Sequence, residues 1–303
     1  MTVLIDDGLI PIVSVVLPTK NRIHSLKKAV NSVLRQKITN FELIIIDDGS
    51  SDGTHSYLDG LSRNDLRIKK VINQTSVGGA EARNQGISIS TGKWVAFLDD
   101  DDEWLPQKIK FQLEVLNNNP SAVACSSWYW RRRDFALDRL VRVPNQINIE
   151  DLLRGSVLGG ASGCICNAKI LKSLGGFDAT FKSGQDWDLW IRLRQAGEIV
   201  TCMKPTFLYR WHNNSRISND MNAQYQGMNR FYQKYKTIMR SDIRQKNLAY
   251  ITYIQSRRNK IGFKRRIQYL KISIYYSSFR VAINFLLSSF PRILIDSLLR
   301  YVK

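Results

Sequence analysis

The chain is 303 residues long and carries 45 Lys+Arg against 26 Asp+Glu, a formal +19. At 44% hydrophobic and 10% aromatic it can bury a substantial core, which excludes global disorder. The charge is uneven: residues 221–303 hold 17 basic side chains and two acids (Asp242, Asp296), a net +15, leaving +4 for residues 1–220.

Strand and helix periods alternate over the first hundred residues. Ile12–Leu17 is a β-branched apolar run, read as a buried strand ended by Pro18. His24–Gln36 follows with Leu26, Ala29, Val30, Val33 and Leu34 on one helical stripe. Phe41–Ile46 is a second strand, Asp52–Leu61 a short helix, Leu66–Ile72 a third strand and Gly78–Ser90 a helix. Trp94–Leu98 is the fourth strand, and Pro106–Asn117 is helical with Pro106 near its first turn. Strands apolar on both faces and separated by helices imply a mostly parallel sheet flanked by helices, an α/β fold. Further on, Val123–Trp130 and Leu137–Val143 pair as antiparallel strands around an Arg131–Asp134 turn. Asp186–Gln195 is an amphipathic helix, and Ile199–Met203 and Phe207–Trp211 are short strands. Beyond Asn219, four helices are expected near 221–239, 241–256, 262–279 and 281–300.

Four cysteines without a CxxC pair, and three histidines, disfavour a structural zinc site or disulfide framework and favour a reducing compartment. The start, MTVLIDDGLIP, lacks the basic region of a secretory signal. No uncharged apolar run reaches the roughly 18 residues of a membrane span, since Val281–Leu299 is broken by Pro291, Arg292 and Asp296.

The chemistry concentrates where strands end, the place where open α/β sheets bind ligands. The first strand ends in Pro18-Thr19-Lys20-Asn21-Arg22, the second in Asp47-Asp48-Gly49-Ser50, and the fourth in Asp99-Asp100-Asp101-Asp102. Four adjacent carboxylates repel one another and gain nothing as local structure. A hard divalent cation, Mn²⁺ or Mg²⁺, offsets that repulsion, taking one or two carboxylates together with substrate phosphates. Neither GxxxxGK[ST] nor GxGxxG occurs, which disfavours a P-loop ATPase and a dinucleotide enzyme.

The segments SVVLPTKNR (14–22), ELIIIDDGSSDGT (42–54), GGAEARNQGI (78–87), WVAFLDDDDEWLP (94–106) and GGFDATFKSGQDWDLWIRL (175–193) together resemble glycosyltransferase family 2. The resemblance covers residues 12–212. It implies a GT-A fold, a nucleoside-diphosphate-sugar donor (UDP-linked by expectation), a divalent metal and an inverting single displacement. Carried over, Pro18, Thr19, Asn21 and Arg22 line the nucleoside pocket. Asp48 is similar to the family's uracil-contacting aspartate and Arg83 to its second base or ribose contact. Asp99-Asp100-Asp101 stands as the DxD motif, with Asp101 on the metal and Asp99 or Asp100 on the ribose. Asp186 matches the general base. Gln185 replaces the glutamate often found beside that base, so a like-charged neighbour that would raise the base's pKa is less available. Asp188 is the other carboxylate here, but two residues along a helix it faces elsewhere. His212 resembles a histidine that in some relatives touches the metal or diphosphate. Arg210 and Arg216 are placed to screen the diphosphate. Trp187, Trp190 and Trp211 are sugar-stacking candidates, with Trp190 better read as core.

The chain therefore divides into a glycosyltransferase domain at 1–220 and a basic helical region at 221–303. The resemblance implies a saccharide acceptor, lipid-linked, in O-antigen or capsule assembly. Basic and apolar residues alternate at helical spacing in the second region (Ile261, Phe263, Lys264, Arg265, Arg266, Ile267). This fits an anionic membrane surface on the cytoplasmic side better than nucleic acid, making the protein peripheral. A sugar nucleotidyltransferase and a catalytically silent nucleotide-sugar-binding protein remain as alternatives. A processive synthase is disfavoured, as neither membrane helices nor QxxRW is present.

Overall fold

The computed structural model describes residues 10–133, 136–211 and 220–258. They form two compact units, one of residues 10–179 and 185–211, the other of Thr180–Gly184 with residues 220–258. The first unit opens with β1 (Val13–Thr19), α1 (Ile23–Leu34), β2 (Phe41–Asp47), α2 (Thr54–Asn64), β3 (Ile68–Ile72), α3 (Gly79–Ile89) and β4 (Trp94–Phe97). Every element expected here is present, with ends moved by at most three residues. The unit continues with β5 (Glu103–Trp104), α4 (Lys108–Asn117), β6 (Ala122–Arg133), β7 (Ala136–Val141) and α5 (Ile149–Arg154). A 3₁₀ turn (Ala161–Gly163), β8 (Ile165–Asn167), α6 (Ala168–Ser173), α7 (Gln185–Ala196) and β9 (Glu198–Trp211) complete it.

One sheet runs β3-β2-β1-β4-β8-β6-β9-β5, with β7 paired to β6. β3, β2, β1 and β4 are mutually parallel, while β8 is antiparallel to both β4 and β6. Val13, Val15, Val16 and Leu17 of β1 and Leu43–Ile46 of β2 are fully buried, as strands covered on both faces require. α3 lies so close to β1 that a Cβ at Gly86 would stand 2.5 Å from Val16 Cγ1.

Three expectations need correction. Pro18 does not end β1, which continues in register with β2 to Thr19 opposite Asp47. The Val16 carbonyl accepts from Leu98 N–H, so strand alternation turns the Pro18 nitrogen to the same side, beyond the end of β4. The two short strands expected at 199–203 and 207–211 are one strand, β9. Pro205 lies opposite Trp128, where the β6–β9 register shifts on both sides of that residue, and the bulge absorbs its missing N–H. Finally, Arg131–Arg133 do not begin a turn; they are ladder residues paired with both β7 and β9.

In the second unit, Asp220 caps α8 (Met221–Tyr235) by accepting from the N–H groups of Asn222 (2.8 Å) and Ala223 (3.2 Å). α9 (Ser241–Arg258) follows. Phe231, Tyr235, Ile243, Asn247 and Ile254 are buried. The apolar stripes of α8 and α9 are therefore spent inside protein. The helices expected at 262–279 and 281–300 lie outside the described residues. Among the described residues, no helix is long and apolar enough to cross a membrane.

Candidate active site

The carboxyl ends of β1, β2 and β4 are tied into one polar assembly. At the end of β1, Asn21 sits at φ +53°, a left-handed conformation that Asn tolerates better than most residues. That turn aims its amide oxygen at Ser51 N–H (2.7 Å) while its own N–H reaches Ser50 Oγ (2.8 Å). Asp52 accepts from Ile23 N–H (2.9 Å) at the start of α1. These bonds latch the loop after β1 to the loop after β2.

Asp48, at the end of β2, is 5% exposed. Its carboxylate accepts from Ser76 Oγ (2.6 Å), Val77 N–H (2.7 Å), Gly78 N–H (3.0 Å) and Asn73 Nδ2 (3.2 Å). Burial alone would raise its pKa, but the four donors outweigh burial and hold it below the usual aspartate range. The residue expected to contact a base thus shapes the loop that opens α3.

The acidic run after β4 is also internally partnered. Asp99 pairs with Arg83 of α3 and accepts Arg83's side-chain hydrogen bond, while its own N–H donates to Ser162 Oγ (3.0 Å). Asp100 accepts from Thr19 Oγ1 (2.9 Å) and from the Arg22 guanidinium (3.0 Å), which also reaches Asp101 at 3.3 Å. Asp102 accepts from Arg210 N–H (3.1 Å). The expectation that these carboxylates gain nothing as structure is therefore corrected: each has a partner from another segment. Ionisation still carries a cost. Burial, opposed in part by Arg22, pushes Asp100 up to about 6, and burial with the neighbouring acids pushes Asp102 well above the usual range.

A divalent cation fits this donor set. The run offers only hard carboxylate oxygens, crowded where burial disfavours their charge. Among the described residues no three His, Cys, Asp or Glu side chains converge as a closed cage.

Asp186 stands in the first turn of α7 and accepts from Trp187 N–H (2.9 Å). Burial raises its pKa; the Trp187 N–H opposes this, Asp99 adds to it and Arg83 opposes it. The like-charged neighbour missing at Gln185 is thus supplied by Asp99. Asp188 is fully buried and bound to Arg192 Nε at 2.8 Å, and Arg192 also donates to the carbonyls of Leu174 (3.0 Å) and Gly176 (2.7 Å). Asp188 is committed to holding the turn before α7, whereas Asp186 lies within electrostatic reach of Asp99 and Arg83.

Sequence reasoning passed over Asn84 and Ser162. The Asn84 side-chain amide donates to the Phe177 carbonyl (2.9 Å) and accepts from Phe177 N–H (2.8 Å), docking the 175–178 turn beside Arg83, whose guanidinium lies 5.5 Å from the Phe177 ring centre. Ser162 lies in a glycine-rich stretch without periodicity; only the positive φ at Gly159 and Gly160 marks it as a shaped loop. Trp187 is 8% exposed and its indole N–H donates to the Leu152 carbonyl, so it is not a sugar platform, and Trp190 is fully buried core. Arg210 pairs with Glu103. His212 and Arg216, and the Trp211 side chain, lie outside the described residues.

The parallel sheet, with acids at its strand ends and a carboxylate on a following helix, is the GT-A architecture. The chain superposes on S. aureus TarS in complex with UDP-GlcNAc with a TM-score of 0.66 at 17% identity, covering 86% of this chain and 79% of that one. It also superposes on the mannosyltransferase PcManGT of Pyrobaculum calidifontis, in complex with GDP-Man and Mn²⁺. There the TM-score is 0.60 at 16% identity, over 92% of this chain and 79% of that one. Sequence relatives include the putative teichuronic acid biosynthesis glycosyltransferase TuaG of Bacillus subtilis, 31% identical over 70% of this chain and 84% of TuaG. The Escherichia coli UDP-Glc:alpha-D-GlcNAc-diphosphoundecaprenol beta-1,3-glucosyltransferase WfgD is 29% identical over 71% of this chain and 81% of WfgD. The glycosyl transferase family 2 profile matches residues 14–173, and the chain belongs to that family. It is a glycosyltransferase.

Proposed function

We propose that the protein transfers a sugar from a UDP-linked donor, with inversion, to a hydroxyl of a lipid-linked saccharide during cell-surface polysaccharide assembly. The observation that carries this reading is the placement of Asp186 against Asp99 and Arg83, with burial and Asp99 raising its pKa. A carboxyl so poised suits a general base. Asp186 takes the acceptor proton as the acceptor oxygen bonds to the anomeric carbon, while the bond from that carbon to the diphosphate oxygen breaks and UDP leaves with the electron pair. Asp101 would hold Mn²⁺ or Mg²⁺, which supplies charge stabilisation to the departing diphosphate. Thr19 and Arg22 hold Asp100 towards the ribose, and Pro18, Asn21, Asp48 and Arg83 shape the nucleoside pocket. His212 is a further metal or diphosphate contact in this reading.

UDP as nucleotide and a polysaccharide setting are supported by the complexes and names of the relatives. The acceptor class draws on the one that WfgD's name states. Membrane association at the cytoplasmic face, through the basic residues of 221–303, is part of the same proposal. Because the apolar stripes of α8 and α9 are buried, such binding falls to basic side chains and to the segment beyond Arg258.

The test is nucleotide release by the full chain from UDP-glucose, UDP-galactose, UDP-N-acetylglucosamine and GDP-mannose, with Mg²⁺ or Mn²⁺ and a saccharide-diphospholipid acceptor. Metal-dependent UDP release is expected, and Asp101→Ala should remove the metal dependence of donor binding. Release of pyrophosphate from a nucleoside triphosphate, or no release from any donor, would overturn the reading.

A further inference from the structure

α4 carries two fully buried polar side chains one turn apart, Lys108 and Gln112. The Lys108 ammonium lies 4.8 Å from the Trp104 ring centre and donates to Gln112 Oε1. The titratable groups around it are Cys125 of β6, Cys164 and Cys166 at β8, and Cys202 of β9. Burial raises all four thiols, which keeps them neutral. Burying a cation among neutral groups is costly. Packing alone does not explain the lysine, since a methionine would fill the same space.

Gln112 supplies the reason. An ammonium has only donors to offer, so the amide must turn its oxygen towards Lys108. Its nitrogen then faces the other way and donates to the carbonyls of Gly163 (2.8 Å) and Cys125 (3.0 Å). Turned over, the amide would set donors against the ammonium and its oxygen against two carbonyls. Gly163 closes the Ala161–Gly163 turn, which two further donors hold. Ser127 Oγ bonds the Gly163 carbonyl (3.2 Å), and the Trp104 indole N–H bonds the Ser162 carbonyl (3.1 Å). The turn presents Ser162 Oγ, which accepts from Asp99 N–H at 3.0 Å and also hydrogen-bonds Asp102. A chain of contacts thus runs from a buried cation, through one amide, to the acidic run.

We propose that Lys108 and Gln112 are positioning residues for the donor site: the ammonium sets the amide, the amide fixes the Ser162 turn, and that turn holds Asp99–Asp102 for a metal-bound nucleoside diphosphate. Both side chains are sealed from solvent, so they act through Ser162. This rests on the functional reading above, which places the donor at that run. The same arrangement carries a pH dependence. Burial pushes the Lys108 ammonium down to about 8, whereas Cys125 and Cys164 are pushed up to about 12. Lys108 is therefore the member of this cluster that loses charge in mild alkali, and a neutral amine no longer dictates which way the amide turns.

The experiment uses the full chain, Lys108→Met and Gln112→Glu. Methionine keeps the volume and removes the cation; glutamate gives Lys108 a charged partner but has no N–H for Gly163. Calorimetry with UDP and Mg²⁺ at neutral pH should show both variants binding about 10–100-fold more weakly, the range for losing a partner that orients metal ligands. Raising the pH from about 7 to about 9, across the Lys108 titration, should weaken wild-type binding and leave Lys108→Met unchanged. Without nucleotide, hydrogen exchange at Asp99 N–H should be faster in both variants. The proposal is overturned if either variant binds as the wild type does, or if Lys108→Met keeps the wild type's pH dependence. Should Lys108→Met fail to fold, Gln112→Glu and the wild-type pH series decide, and wild-type affinity that stays level across that range overturns it. If no chain binds UDP but Asp99 N–H exchanges faster in both variants, the donor reading falls and the positioning role stands. If exchange is also unchanged, both fall.

Discussion

The two halves of the sheet are built differently. In the parallel half (β3, β2, β1, β4), each polar group at a strand end has an in-chain partner: Asn21 with Ser51, Asp48 with residues 73–78, Asp100 with Thr19 and Arg22, Asp99 with Arg83. The mixed half is built on the long β6–β9 ladder, whose register shifts three times, two of them around Trp128 opposite Pro205. The contrast teaches where preorganisation is concentrated. Groups that must be fixed before a reaction are held rigidly by their neighbours, whereas a ladder interrupted by bulges bends where its partner strand requires it.

The comparison breaks first at Asp186. Asp186→Asn keeps shape and removes the base, so transfer should fall about 10²–10⁴-fold with donor affinity preserved; steady-state turnover and UDP calorimetry decide it, and near-normal turnover would move the base elsewhere. Its raised pKa also shifts the acid limb. Activity should rise with pH as Asp186 loses its proton, at higher pH than an ordinary aspartate would give. A smaller effect belongs to Asp100, whose folded pKa of about 6 exceeds the ordinary aspartate value of 3.8. In chelator-treated protein the unfolded chain releases this proton first as pH rises, so Asp100 costs stability progressively between those two values. The loss reaches about 3 kcal/mol by neutral pH. Asp100→Asn should flatten that slope in denaturant titrations, and an unchanged slope would refute the assignment. The smallest expected change is for Asp48→Ala, which leaves the N–H groups of Val77 and Gly78 without their acceptor and should cost about 2 kcal/mol. Because Asp48 is held below its ordinary pKa, its stabilisation is present above that value and is lost as pH falls. Wild type and variant should therefore converge in acid.

Legibility in the sequence follows the same division. β1, β2 and β4 are short apolar runs punctuated by Pro, Gly and Asp, because strands covered on both faces have little room for polar residues. Their ends therefore announced Thr19, Arg22, Asp48 and the acidic run, and the family segments pointed to Arg83 and Asp186. What stayed hidden depended on partners far along the chain. β5 has two residues and β8 three, too short for any period, and α5 and α6 have six each. Pro205 imitated a strand break because a bulge cannot be read without the partner strand. Lys108 reads as an ordinary helix lysine, yet it is fully buried against the Trp104 ring, bonded to Gln112, and pushed down to about 8 by burial. Asp48 shows the same limit. Its sequence context marks a ligand site, but only the fold shows four donors already on its carboxylate.

The reciprocal bonds between Asn84 and Phe177 join residues 93 positions apart. Arg83, which holds Asp99, and the turn that leads to Asp186 are brought together by that single clasp. During synthesis Thr19, Arg22, Arg83 and Asp99–Asp100 are all made by the time β4 emerges. The base then reaches its station only after a further stretch of chain has left the ribosome and α3 has captured the turn at Phe177. In the proposed reading, the donor side of the site is therefore synthesised before the base.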